Sequence, residues 1–207
     1  MTTNQQAVHL AVYDTIADWE IGYLTAHLTN GHHQRRPGGH RIATVGLTGE
    51  PVTTMGGLRV LPDLALADLE PAVSSLLILP GAEGWEAGAL DPFTAAAARF
   101  LAAGVPVAAI CGATFGLAKA GLLDSRRHTS NDPGYLASSG YAGAEHYVAD
   151  QPAVIDGDLI TASGVAPVHF ARAVFERLDI YEPHVLASWF KLYADRDPTG
   201  FLELMAG

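Results

Sequence analysis

The chain has 207 residues, of which 49% are hydrophobic, and a formal net charge of −10 at neutral pH. Length and composition predict one globular domain spanning 1–207, and no apolar stretch approaches the roughly 20 residues of a membrane span. The acidic balance argues against a nucleic-acid partner, which calls for a basic footprint.

The chain opens on Met1–Gln6, polar and uncharged, without the basic segment of a secretory signal. With a single cysteine and therefore no internal disulfide, the expected location is the cytoplasm. Ala7–Tyr13 reads as a strand. Asp14 and Thr15 supply turn or capping chemistry before a helix over Asp18–Leu28, where Trp19, Tyr23, Leu24 and Leu28 have helical spacing. Asn30–Gly39 is a polar loop whose His32 and His33, with His40 beyond, read as solvated rather than as a metal site. A second strand covers Arg41–Leu47, and Pro51–Pro62 reads as a small β excursion turning at Gly56-Gly57. Ser75–Leu79 is the next buried strand and runs into Pro80-Gly81-Ala82-Glu83-Gly84. Asp91-Pro92 reads as an N-cap followed by proline at the first helical position, opening a helix to about Ala103. Val105–Ile110 has the continuous apolar character of a buried parallel strand, and the helical segment after it stops near Gly121. Arg127–Thr129 suggests a short strand, and Asp156-Gly157 a hairpin turn. Ala166–Leu178 is a helix opened by Pro167, and Pro183–Tyr193 another. The pairs Arg35-Arg36 and Arg126-Arg127 read as solvated. Strands alternating with helices predict a mostly parallel sheet covered on both faces, with ligands at the carboxyl ends of its strands.

Cys111 falls between the Val105–Ile110 strand and the following helix, the arrangement of a nucleophile elbow. Gly112 relieves crowding where backbone angles are unusual, and the helix aims its first amides at the sulfur, which favours thiolate. The alternative is a buried structural cysteine. Glu20, in the first turn of the first helix, is placed by a doubly wound sheet at the same edge and is the candidate proton partner. Its other reading is an acid that favours a helix N-terminus. The amides of Ala82, beside Gly81, and of Gly112 form a candidate oxyanion hole. His128 is a candidate general base, and His169 a weaker one. Asp14, Trp19 and Trp85 are candidates for the cleft mouth, although the two tryptophans read better as core or dimer-contact aromatics.

Taken together these residues resemble the ThiJ/PfpI family, small relatives of the class I glutamine amidotransferases. The resemblance runs through Asp18-Trp-Glu20, Leu79-Pro-Gly-Ala82, Ile110-Cys-Gly-Ala-Thr114, Ala120–Arg127 and Ile155–Gly164. It implies a flavodoxin-like α/β three-layer sandwich, a homodimer, and an oxidation-prone cysteine beside a carboxyl. Neither cofactor nor metal is expected, and the partner is a small-molecule substrate. Three departures stand out. Peptidase-like members carry a histidine directly after the cysteine, where this chain has Gly112. Many members end a Thr-Thr-His pattern in the strand beyond the elbow helix; here Asn131 takes that place and His128 lies three residues earlier, on the opposite face of a strand. True amidotransferases use a late His-x-Glu pair, whereas His184 is followed by Val-Leu. The expectation is a cysteine-dependent enzyme acting on a small electrophile by hydratase or hydrolase chemistry, with Cys111 as nucleophile and Glu20 as partner. The isonitrile hydratase branch, which pairs cysteine with an acid, is the most compatible. Alternatives are a non-catalytic redox-sensing or stress-response protein, and a peptidase or amidotransferase-like hydrolase. Thr114, in the elbow motif, is a further site candidate.

Overall fold

The structure, a computed structural model, describes residues 7–206, so the polar start Met1–Gln6 lies outside the described residues. The first strand, β1 (Ala7–Ala11), is buried along its whole length and leads through a short turn into α1 (Asp18–Thr29). There follow β2 (Arg41–Gly46), the hairpin strands β3 (Val52–Thr53) and β4 (Arg59–Val60), and the short β5 (Leu64–Ala65). Next come β6 (Ser74–Leu79), α2 (Asp91–Ala102), β7 (Val107–Ile110), α3 (Gly112–Lys119) and α4 (Pro133–Ala137). The chain closes with β8 (Ala153–Asp156), β9 (Leu159–Ala162), α5 (Pro167–Arg177), α6 (Pro183–Tyr193) and α7 (Thr199–Ala206).

Seven strands form one sheet in the order β5-β2-β1-β6-β7-β9-β8, with β3 and β4 pairing separately. Every pairing in the large sheet is parallel except β8 with β9, which turn back on each other at Gly157, φ +62°. The strand order reverses between β1 and β6, and in a doubly wound sheet a ligand crevice opens outside the carboxyl ends at such a point. α1 packs against α5, and α2 against α3, so the sheet is layered between helices as a flavodoxin-like α/β sandwich. Helix periodicity explains the burial: α2 hides Phe93, Thr94, Ala96, Ala97 and Phe100, one apolar stripe. Among the described residues no helix is long and apolar enough to cross a membrane.

Four local expectations are corrected. Arg127–Thr129 forms no strand, only a bridge from His128 to Tyr147, because Thr129 N–H is taken by the Thr161 hydroxyl (2.9 Å) instead of a backbone ladder. Asp91 is the first helical residue of α2 after Leu90, and its carboxylate pairs with Lys119 at 3.0 Å. Asp14 and Thr15 supply the turn before α1, as expected, but not its cap. Asp14 accepts from Thr53 N–H (2.8 Å) and Thr15 from Glu83 N–H (3.1 Å), while Gly56 N–H donates to Asp18 at 2.6 Å. The Asp14 and Asp18 bonds strap the β3–β4 hairpin, which turns at Gly57 (φ +84°), across the start of α1. The basic pairs are partly engaged: Arg35 meets Asp179 and Glu182 at 3.2 and 3.1 Å, and Arg126 meets Asp158 at 2.5 Å.

Candidate active site

Cys111 has φ 58° and ψ −126°, a conformation that costs a side-chain-bearing residue on the order of 1–3 kcal/mol. The surrounding bonds hold it there. Its N–H donates to Ala162 O (3.0 Å), and its carbonyl accepts from Thr114 N–H (3.1 Å) and the Thr114 hydroxyl (2.6 Å). With that proton committed, the Ser130 hydroxyl 2.6 Å away donates to Thr114 Oγ1. Thr114 thus supports the elbow from beneath. The unusual angles fall on Cys111 rather than on Gly112, whose reason is space. A Cβ at Gly112 would stand 2.9 Å from Trp85 Cδ1, and one at Gly116 only 2.5 Å from Trp85 Cε3. Trp85 is fully buried under α3 and donates to Pro80 O at 2.9 Å, so it belongs to the core and not to the cleft mouth.

Glu20 occupies the buried stripe of α1 with Leu24 and Leu28 and has no solvent exposure. Its Oε2 accepts the Gly81 N–H at 2.6 Å, whereas Oε1 is buried without another hydrogen-bond partner and faces the cysteine. Two glycines make that approach possible. A Cβ at Gly81 would lie 2.8 Å from Glu20 Oε1 and 3.0 Å from Cys111 Sγ; at Gly164 it would lie 3.1 Å and 2.7 Å from the same atoms. Carboxyl and thiol therefore share a slot walled by the turns after β6 and β9. Burial lifts Glu20 to about 7 against the opposing Gly81 hydrogen bond. The thiol is lifted to about 11, by burial first and then by the Glu20 charge, against hydrogen bonds from Asn131 and the Gly112 amide. The amide at the helix start does favour thiolate, as expected, but desolvation and a neighbouring carboxylate outweigh the two donors.

The remaining candidates separate. Asn131 is at the thiol, with Nδ2–H donating to Sγ at 3.3 Å and Oδ1 accepting Gly164 N–H at 2.8 Å. Gly81 forms the slot wall, and Ala82 turns its carbonyl toward Gly112, 3.3 Å from where a Cβ would stand. His128 is fully buried and committed elsewhere: Nδ1–H donates to Arg126 O (2.7 Å) and Nε2 accepts from Tyr141 OH (3.1 Å). It is not brought to the thiol, and burial lowers its basicity. His169 stacks edge-on against Phe190, and His184 is exposed on α6. Asp14 serves the hairpin, while Trp19, 51% exposed, donates to Gly164 O at 3.0 Å.

The sequence reading missed Gly164 as a wall, although it stands two residues past β9 as Gly81 stands two past β6, which is the available signal. It also missed Tyr135, whose hydroxyl donates to Glu86 and whose ionisation is opposed by burial and by the Glu86, Cys111 and Glu20 charges. Beside Asn131 a cavity of about 390 Å³ is lined by Asp132, Tyr147, Asp150, Ser163 and Val165. An apolar hollow of about 290 Å³, between His27, Trp189 and Met205, is lined by none of the residues around the thiol. Among the described residues no three His, Cys, Asp or Glu side chains converge as a metal-ligand set.

Residues 6–177 match the DJ-1/PfpI family. The Bacillus subtilis protein named uncharacterized protease YoaZ is 42% identical over 201 residues, covering 96% of this chain and 95% of that protein. A crystal structure of a ThiJ/PfpI family protein from Bacillus anthracis superposes with a TM-score of 0.90 at 40% identity, covering 98% of this chain and 97% of that one. A protein from Pyrococcus abyssi named a deglycase is 30% identical over 132 residues, 63% of this chain and 78% of its own.

Proposed function

The chain belongs to the DJ-1/PfpI family, and on that premise we propose that it is a cysteine-dependent enzyme acting on a small electrophile by hydrolysis or hydration. The observation that carries this reading is the carboxyl oxygen of a fully buried Glu20 whose one neighbour in hydrogen-bonding reach is the thiol of the chain's only cysteine. A carboxyl held near 7 exchanges protons readily at neutral pH, as general acid–base catalysis requires. The thiol stays protonated until an electrophile arrives. As the sulfur attacks, the S–C bond forms, the thiol proton passes to Glu20 Oε1, and the π pair of the electrophilic group moves onto its heteroatom. Amides of Ala82 and Gly112 stabilise that charge. Protonated Glu20 then returns its proton to the leaving group or the heteroatom. Water, deprotonated by Glu20, adds to the carbon and releases the thiol.

A carbonyl or an activated acyl group fits this sequence of steps; with an isonitrile, Glu20 would instead deliver the thiol proton to the carbon that the sulfur attacks, giving a thioimidate to which water adds with protonation of its nitrogen before the sulfur leaves. Relatives named a protease and a deglycase agree with hydrolytic chemistry. The narrow slot between Gly81 and Gly164, with no histidine brought to the sulfur, favours a small substrate over a peptide. A redox sensor is less supported, because oxidation needs thiolate and the thiol is held high. The exposed Met55, Leu58 and Leu61 beside the strapped hairpin support the homodimer reading. The test is turnover of carbonyl, acyl and isonitrile compounds by wild type, Cys111→Ser and Glu20→Gln. The expected outcome is no turnover without the sulfur and a loss of about 100-fold or more without the carboxyl, both variants remaining folded. Undiminished turnover in Glu20→Gln would overturn the reading.

A further inference from the structure

We propose that Asn131 is the third residue of this centre: an anchored donor that holds the sulfur and stabilises the negative charge developing on it, without accepting a proton. The inference rests on the reading of Cys111 and Glu20 above. Its basis is a chain of hydrogen bonds that ends on the thiol. Trp19 Nε1–H, next to Glu20 on α1, donates to Gly164 O at 3.0 Å. The amide of the same Gly164 donates to Asn131 Oδ1 at 2.8 Å, and Asn131 Nδ2–H donates to Cys111 Sγ at 3.3 Å. The Gly164 amide can only donate, so the carboxamide orientation is fixed and its NH₂ group is the end turned to the sulfur. Gly164 is clamped through both its N–H and its carbonyl, and a Cβ there would stand 2.7 Å from Sγ, so the clamp and the sulfur are packed as one unit.

A carboxamide cannot act as a base. With both nitrogens of His128 engaged elsewhere, Glu20 alone among these neighbours can take the thiol proton. Asn131 adds a donor that strengthens as the sulfur becomes anionic, since hydrogen bonds to charged partners are roughly twice as strong as neutral ones. The other titratable groups around the sulfur are Tyr13 after β1 and Tyr135 on α4, the latter with its acceptor Glu86. Neither tyrosine hydroxyl is bonded to Asn131: they donate to Pro80 O and to Glu86.

The experiment is the pH dependence of Cys111 alkylation by iodoacetamide, in which the sulfur forms a thioether, iodide leaves with the bonding pair and the thiol proton is lost. It is measured on Asn131→Ala, Asn131→Asp, Trp19→Phe, Glu20→Gln and wild type, with thermal melts alongside. Asn131→Ala is expected to raise the thiol midpoint by about one pH unit, the worth of one donor to an anion. Asn131→Asp, which replaces the donor by a carboxylate, is expected to raise it further and slow alkylation near pH 8 by about tenfold or more. Trp19→Phe, at a half-exposed position, is expected to shift it the same way by less. A merely structural Asn131 would move the melting temperature and leave the midpoint alone. Midpoints in both Asn131 variants indistinguishable from wild type overturn the proposal. If Glu20→Gln shifts the midpoint while they do not, the Cys111–Glu20 reading survives and this one falls. A wild-type thiol that resists alkylation throughout overturns both.

Discussion

Replacing Glu20 by glutamine is expected to stabilise the fold at alkaline pH while removing its proton partner. Burial raises the carboxyl from 4.5 to about 7. A group whose folded-state pKa lies above its unfolded value favours the fold fully below the unfolded pKa and loses that contribution as pH rises through the folded one. The difference of about 2.5 units, at 1.36 kcal/mol each, makes ionised Glu20 cost the fold roughly 3 kcal/mol near pH 8. Near pH 5.5 the same linkage leaves roughly 1.4 kcal/mol, so the cost grows by about 2 kcal/mol across that window. Glutamine keeps a carbonyl for the Gly81 N–H and carries no charge into the slot. Urea unfolding of both proteins at the two pH values measures the gap. His9, His27, His40, His128 and His169 are all lowered by burial and destabilise both proteins equally as pH falls, so they cancel in the difference. A gap that does not widen in favour of Glu20→Gln between pH 5.5 and 8 would refute a buried, costly carboxylate.

Because Glu20 accepts the thiol proton only when ionised, turnover is expected to rise through about pH 7 in wild type, and pH–rate profiles of Glu20→Gln should lack that limb. Gly164→Ala would place a Cβ 2.7 Å from Sγ; alkylation should slow by about tenfold or more, and denaturation should register a cost of about 1–3 kcal/mol. Gly116→Ala drives a methyl to 2.5 Å from Trp85 Cε3, so the same cost is expected with the thiol midpoint unmoved. His128→Ala empties a buried site and strands the Arg126 carbonyl and Tyr141 hydroxyl; the expected result is a drop of about 2–4 kcal/mol in unfolding free energy with an unchanged alkylation profile.

The strands were legible where apolar runs ended in turn residues: Val107–Ile110 before Cys111, Ser74–Leu79 before Pro80. Such runs encode burial on both faces, which is what a parallel sheet imposes. Glu20 was legible through topology, since the first turn of the helix that follows β1 is carried by a doubly wound sheet to the same edge as the elbow. Turn position was less informative than turn direction. Asp14, Thr15 and Asp91 are chemically good caps, yet each is claimed by a partner distant in the chain, at Thr53, Glu83 and Lys119. His128 was drawn in by its residue type, but the segment takes its bonds from Arg126 and Tyr141 and turns the ring away from the thiol. Gly164, the last residue of the Ile155–Gly164 stretch, was given no role because that role is an absence of atoms, visible only once Sγ stands 2.7 Å from the missing Cβ.

Four effects compete at the sulfur, and their order determines how such a site works. The helix start and Asn131 pull toward thiolate, while burial and Glu20 pull harder toward thiol. A permanently ionised cysteine beside an ionised carboxylate would place two like charges in one desolvated slot, which is the costliest arrangement available. The slot therefore holds one negative charge, resting on the oxygen above about pH 7. Attack on an electrophile carries that charge through the sulfur and onto the substrate as the proton moves to Glu20, so the donors around the sulfur act most strongly during the reaction itself. That timing is what converts hydrogen bonds into rate, because only interactions stronger in the transition state than in the resting state accelerate the step.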